Sequence, residues 1–168
     1  MNHTRHGETV LALYPTTRGL GFVVMRSPLS PIDWGTRDVR GSRKNAQCLE
    51  KIAALINAHQ PDAIVLEDPT TPGGSRSTRI KRLARAIAAL ADSQAIDVHA
   101  FARSRVVKCF EAFGAKSRQE IAVLIAKRVP AFERFLPPKR RLWTTESARM
   151  SIFCAAALAI TFFGPIEG

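Results

Sequence analysis

The stretch VLALYPTTRGLGFVV, residues 10–24, constrains the fold more than any other part of the chain. Two apolar runs, 10–14 and 21–25, flank a Pro-Thr-Thr-Arg-Gly-Leu turn, which reads as a β-hairpin. Gly19 and Gly21 offer that turn positive φ at no steric cost. A later run, 63–66 in DAIVLED, is short and β-branched, as a buried strand is, and it delivers Glu67 at its end. Strands apolar at nearly every position have to be covered on both faces, so helices are expected on either side of a sheet.

The rest of the sequence supplies those helices. Residues 32–39 alternate weakly and read as a third antiparallel strand after the Ser-Pro-Leu-Ser-Pro turn. Helical spacing of Leu49, Ile52, Ala53 and Ile56 predicts a helix over 45–59. Ile80, Leu83, Ile87 and Leu90 predict another over 79–91, after a Pro/Gly/Ser loop at 70–77. Residues 96–101 read as a fifth strand. Two helices, 104–113 and 117–129, break at Gly114. A Pro- and Arg-rich connector covers 132–142, and a last helix runs over 145–163 with Thr145 as its N-cap. The order β-β-β-α-β-α-β-α-α-α is that of an α/β chain with a mixed five-stranded sheet flanked by helices. One domain over 1–168, with its core at about 9–163, is expected.

Composition narrows the function. With 168 residues, 46% of them apolar, the chain buries about two-thirds of its unfolded surface and needs no disulfide framework. Cys48, Cys109 and Cys154 form no C-x-x-C pair, so neither a zinc site nor a set of disulfides is indicated. The start, MNHTRHGE, is polar, and a reducing cytoplasm is the expected compartment. The longest apolar stretch, 152–163, is too short to span a bilayer, and no membrane partner is expected. Charge is more telling: the net is +11, with 18 arginines to 7 lysines. A guanidinium fork binds two phosphate oxygens at once, and a basic excess of this size points to a polyanionic partner, nucleic acid first.

Glu67 is the strongest candidate for chemistry. A carboxylate where a buried strand emerges is costly unless a metal or a cation accompanies it. Asp68 follows, but neighbours on a strand point to opposite faces. The bland alternative, in which either acid merely caps the strand or pairs with an arginine, is the weaker reading. Glu146 falls in the first turn of the last helix, where the dipole already favours an anion. Cys154 lies eight residues on, near the same helical face, where a thiol among alanines suits the core. His3, His6, His59 and His99 show no ligand spacing.

Taken in order, these motifs resemble the RuvC family of Holliday-junction resolvases, within the RNase H-like superfamily. The likeness rests on LALYPTTRGLGFVV, where the family has an Asp-Pro-Gly-Thr-type turn ending in Gly-Phe or Gly-Tyr. It rests on DAIVLED, where the family has a catalytic Glu, and on CAAALAI, where it has Asp-Ala-Leu-Ala-Ile-Ala. Between them, VKCFEAFGAKSRQEIAVLIAKR stands where the family has a helix, a Gly-Ala-Lys-type turn and a helix. The resemblance implies phosphodiester cleavage with Mg²⁺ or Mn²⁺, two ions held roughly 4 Å apart by converging carboxylates. Carried over by position, the family's catalytic Glu falls on Glu67. Its first Asp falls on Tyr14, its final Asp on Cys154, and the acid one turn earlier on Ser151. Neither a phenol nor a thiol is a normal Mg²⁺ ligand. Glu67, Asp68 and Glu146, with Asp33, are the acids from which a rearranged metal site would have to be built. The resemblance also implies a homodimer, since the family acts on two-fold symmetric junctions.

Arg76, Arg79, Lys81, Arg82 and Arg85 fall within ten residues, with no acid among them. Solvated helix faces usually mix signs, so this cluster is expected to meet phosphate. Arg140, Arg141 and Trp143 form a second cluster, where the indole suits base stacking and core capping equally. Arg18, in the hairpin turn, resembles a family position near the substrate. Lys116 precedes a helix, a place where phosphates bind. The expected function is binding of branched or duplex DNA with nuclease activity lost or weakened. Two alternatives stand beside it. One is an active divalent-metal endonuclease with a rearranged site. The other is a non-enzymatic RNA-binding or assembly protein, which calls for Lys-rich tails.

Overall fold

The computed structural model of the chain describes residues 7–70, 76–138 and 148–164. Five strands lie in the order β3-β2-β1-β4-β5: β1 (Val10–Thr16), β2 (Gly19–Ser27), β3 (Ser30–Asp38), β4 (Ala63–Glu67) and β5 (Asp97–Phe101). β1, β2 and β3 form an antiparallel meander, while β4 pairs parallel with both β1 and β5. Two continuous apolar strands, β1 and β4, are thus neighbours at the centre of the sheet, as their patterning requires. Parallel neighbours need crossovers, which α1 (Lys44–His59) and α2 (Thr78–Ser93) provide before β4 and β5.

The two faces of the sheet bury different sets of residues. Leu11, Leu13, Phe22, Val24, Ile64 and Leu66 face α1 and α2, meeting Cys48, Ile52, Leu83 and Ile87. Val10, Ala12, Tyr14, Val23, Ala63 and Val65 face the other way. There they meet α3 (Arg103–Glu111), α4 (Arg118–Arg128) and α5 (Met150–Phe163). The period of two in side-chain direction assigns every strand residue to one layer or the other.

α5 is the wedge of the second layer. It packs on β2, β1 and β4 from one side and on α3 and α4 from the other. Every residue of α5 is buried except Cys154. Ala155, Ala156 and Ala159 keep that surface thin, so the helix axis lies close to the sheet. Its two buried hydroxyls are satisfied within the chain: Ser151 donates to the Ala148 carbonyl at 2.6 Å, and Thr161 to that of Ala157 at 2.8 Å.

Three sequence expectations need correction. The last helix begins at Met150, not at Thr145. The chain reaches it through a turn in which Ser151 N–H donates to the Ala148 carbonyl and Ile152 N–H to that of Arg149. Thr145 and Glu146 lie outside the described residues. Gly21 does not use positive φ; it is glycine because a Cβ there would sit 2.6 Å from Ser151 Cβ, where α5 crosses β2. Gly19 does carry the turn, at φ +151°. The connector after α4 is not irregular throughout. It opens with a short 3-10 helix, Pro130–Phe135, whose Phe132 is buried edge-on against Trp34 and Phe153. Among the described residues, no helix is long and apolar enough to cross a membrane.

Candidate functional site

One transverse row of the sheet, on the face covered by α5, gathers the residues of interest. Thr36 pairs with Gly21 and Gly21 with Tyr14. β1 and β4 are in register at Ala12 and Val65, so Tyr14 and Glu67, each two residues on, emerge on adjacent strands and the same face. Phe101 pairs with Glu67 and closes the row, with the Arg105 guanidinium 4.7 Å above its ring. Ser151 and Cys154, one helical turn apart on α5, lie over this row. The positions that sequence matching assigned to the family's ligands are therefore close together in space. What occupies them is not a carboxylate cluster.

Tyr14 is only 7% exposed, and its phenolic oxygen accepts two guanidinium hydrogen bonds. Arg76 Nη1 and Arg118 Nη2 each donate to it at 3.0 Å. Arg76 also donates to the Pro15 carbonyl and stacks 4.9 Å from the Tyr14 ring centroid. Burial pushes the phenol up to about 12, with Cys154 and Glu67 adding to the rise and the two arginines opposing it. Tyr14 is thus a neutral phenol across the ordinary pH range. The two guanidinium nitrogens sharing its oxygen are no more than 6.0 Å apart. At that separation two like charges repel by about 3 kcal/mol at an effective dielectric near 20, less whatever solvent screens. This centre is electropositive where a two-metal site has to be electronegative.

The fit to Mg²⁺ or Mn²⁺ follows from these donors. Two such ions need several hard oxygen ligands each, in near-octahedral arrangement. Among the described residues the row offers one carboxylate, Glu67, beside a neutral phenol whose oxygen already takes two N–H bonds. Ser151 spends its hydroxyl proton on Ala148, and Cys154 contributes a soft thiol. Asp68 turns away: its Oδ1 accepts from Thr70 N–H at 2.9 Å and Thr70 Oγ1 at 2.6 Å, and these bonds hold its carboxyl below the ordinary range. Asp33 is on the opposite face and toward the other end of the sheet, paired with His59 Nε2 at 2.9 Å. Glu146 lies outside the described residues. Among the described residues no three His, Cys, Asp or Glu side chains converge as a metal site, and this donor set does not fit the two-ion centre that the fold family implies.

The basic residues divide by what they touch. Arg79 is a strut: it donates to the Thr16 carbonyl at 2.8 Å and to Asn45 Oδ1 at 2.9 Å, and Asn45 answers on the Arg79 carbonyl at 3.1 Å. Arg76 is tied to Tyr14 as above. Lys81 is half-buried, whereas Arg82 and Arg85 are exposed on α2. Arg140, Arg141 and Trp143 lie outside the described residues. Arg118 is a site residue that no sequence motif singled out. It is the first residue of α4, after a capping box in which Ser117 accepts from Glu120 N–H and Glu120 accepts from Ser117 N–H. The Gly-Ala-Lys-Ser turn marked that helix start, but nothing in the sequence aimed its first residue at Tyr14. His99 rests edge-on against Phe162, 5.0 Å between ring centres.

Two cavities meet at Tyr14, Arg118, Met150 and Cys154. The larger, about 410 Å³, runs toward the hairpin turn and is lined by Arg18, Arg76, Arg118, Asp38 and several hydroxyls. The smaller, about 50 Å³, is mostly apolar, with Glu67, Arg103 and Lys116 also in its wall.

No protein-family model and no curated protein matches the sequence. Solved structures are similar in fold. RuvC of Thermus thermophilus in complex with a Holliday junction substrate superposes with a TM-score of 0.64 at 14% identity, over 92% of each chain. A second structure of the same protein gives 0.62 at 15% identity, over 92% of this chain and 93% of that one. The yeast mitochondrial Holliday junction resolvase Ydc2 gives 0.67 at 14% identity, over 94% of this chain and 78% of that one. Strand order, crossovers and superposition agree: this chain has the mixed-sheet, RNase H-like fold of the RuvC-type resolvases.

Proposed function

We propose that this protein binds nucleic acid, with branched or duplex DNA as the first candidate, and does not cleave it by two-metal chemistry. The observation that carries the reading is the Arg76–Tyr14–Arg118 cluster, which sets two fixed cations where the fold's catalytic relatives need two exchangeable ones. The net charge of +11 and the exposed Arg82 and Arg85 supply the sequence-independent attraction to phosphate. Thermus RuvC, which shares the fold, is bound to a Holliday junction substrate, and this makes the four-way junction the first ligand to try. A homodimer is part of the proposal, because such a junction offers two equivalent sites.

The test pairs binding with cleavage. Labelled four-way junction is titrated in EDTA and then incubated with Mg²⁺ or Mn²⁺. Binding without strand scission is expected, and Glu67→Gln should behave as the unmodified protein does. Metal-dependent scission that vanishes in Glu67→Gln overturns the reading and promotes a rearranged site built on Glu67.

A further inference from the structure

The larger cavity carries an inference about how a strand is held. We propose that it is a metal-independent phosphate seat, in which Arg76, Arg118 and Arg18 grip the oxygens of a nucleic-acid phosphate. The proposal rests on the nucleic-acid reading above and assigns that reading's central contact.

Three observations support it. Among the described residues the lining carries three guanidiniums against one carboxylate, Asp38. Asp38 pairs with Gly19 in the β2–β3 register, two residues from the Gly21–Tyr14 row, so it stands with Arg18 at the turn end of the cavity and away from the paired arginines, which make the principal grip. The arginines are pre-aimed. Arg76 is fixed by the Pro15 carbonyl and the Tyr14 hydroxyl, and Arg118 is fixed on the same oxygen from a different element. A guanidinium carries five N–H donors, and these bonds occupy two of those on Arg76. Two cations converging on a neutral phenol gain from an anionic oxygen, which attracts both guanidiniums and offsets the repulsion between them. Finally, size discriminates between the two cavities. At about 410 Å³ the polar one lies within the ordinary range for ligand sites, whereas the apolar one, about 50 Å³, is too small for a nucleobase. The apolar cavity therefore takes no base, and it is the charge of the larger one that selects a phosphate.

The experiment is run in EDTA throughout. Arginine side-chain NMR follows the guanidinium signals, assigned with Arg76→Lys and Arg118→Lys, as inorganic phosphate replaces chloride at fixed ionic strength. Both signals are expected to shift together and saturably. A duplex and a four-way junction, each with and without 5′-phosphates, then compete with the free anion. Equal competition assigns an internal phosphodiester, and competition only by the phosphorylated form assigns a terminal phosphate. Either pattern supports the seat if Arg118→Gln weakens binding by about 10- to 100-fold, the loss of one charge-assisted bond. Tyr14→Phe keeps the ring and both arginines while removing their neutral acceptor, so it tests the seat even if the arginine variants misfold. It is expected to bind phosphate as tightly as the unmodified protein, or more so. Nucleic acid that binds Arg76→Gln and Arg118→Gln with unchanged affinity, guanidinium signals indifferent to phosphate, or phosphate binding lost in Tyr14→Phe, overturns the seat while leaving nucleic-acid binding intact. No binding to any nucleic acid by the unmodified protein defeats the functional reading itself.

Discussion

A phenol held between two guanidiniums and shut away from water does not titrate as one in solution does. Tyr14 is the single tyrosine of the chain, so tyrosinate absorbance reports on it alone. Its proton is held up to about 12 against an ordinary value of 10.0, chiefly because burial disfavours the anion. Between those values the unfolded chain has lost the proton and the folded chain has kept it. Stability from this group is therefore complete below pH 10 and declines as pH rises toward 12, by roughly 3 kcal/mol in all. A pH titration of the folded protein is expected to show no tyrosinate near pH 10 and a late rise. In denaturant the same titration should return to the ordinary midpoint. A folded-state midpoint near 10 would place Tyr14 in water and dissolve the cluster.

At the scale of elements, the site depends on how closely α5 lies on β2. Gly21 and Ser151 make that contact, and a Cβ at Gly21 meets the Cβ and carbonyl carbon of Ser151, not only its hydroxyl. Gly21→Ala is therefore expected to cost about 1–3 kcal/mol or more, since a helix backbone yields less than a side-chain tip. Adding Ser151→Ala should not rescue it, because the clash with Ser151 Cβ and carbonyl carbon remains. Gly114→Ala serves as contrast: nothing lies within 4 Å of its Cβ, so only the strain of φ +78° is added. Urea midpoints of the three variants, at constant m-value, decide the matter. Full rescue by Ser151→Ala would mean that the hydroxyl alone sets the spacing.

For the whole molecule, the net charge of +11 sets the form that the proposed binding takes. Each phosphate neutralised contributes a slope of about −0.9 in log K against log salt for duplex DNA. Arg82 and Arg85 are exposed on α2, so replacing both with Ala should flatten the slope by up to about 2 with little loss of stability. Arg79, three residues from Arg82, should behave in the opposite way. It ties the β1–β2 turn to α1, and Arg79→Ala is expected to lower the denaturation midpoint while leaving the slope nearly unchanged. Salt titrations beside melting curves separate the two effects. A flattened slope in Arg79→Ala at unchanged stability would mean that its internal bonds give way to phosphate.

The apolar runs at 10–14, 21–25 and 63–66, and the helical spacing after them, determined the sheet, its central strands and its crossovers. These are short-range patterns, and burial on both faces leaves few ways to satisfy them. Position matching also singled out Tyr14, Glu67, Ser151 and Cys154, which the fold brings near one another around the first turn of α5. What met at Tyr14 was decided only in three dimensions. Arg76 and Arg118 are separated by α2, β5 and α3, and their convergence on one oxygen depends on where those elements pack. The same holds for Arg79, which the sequence showed as one more cation in a run and the fold turned inward. Periodicity records which face of an element is buried; it does not record which charges the burial brings together, and in this protein that meeting of charges decides what the site can hold.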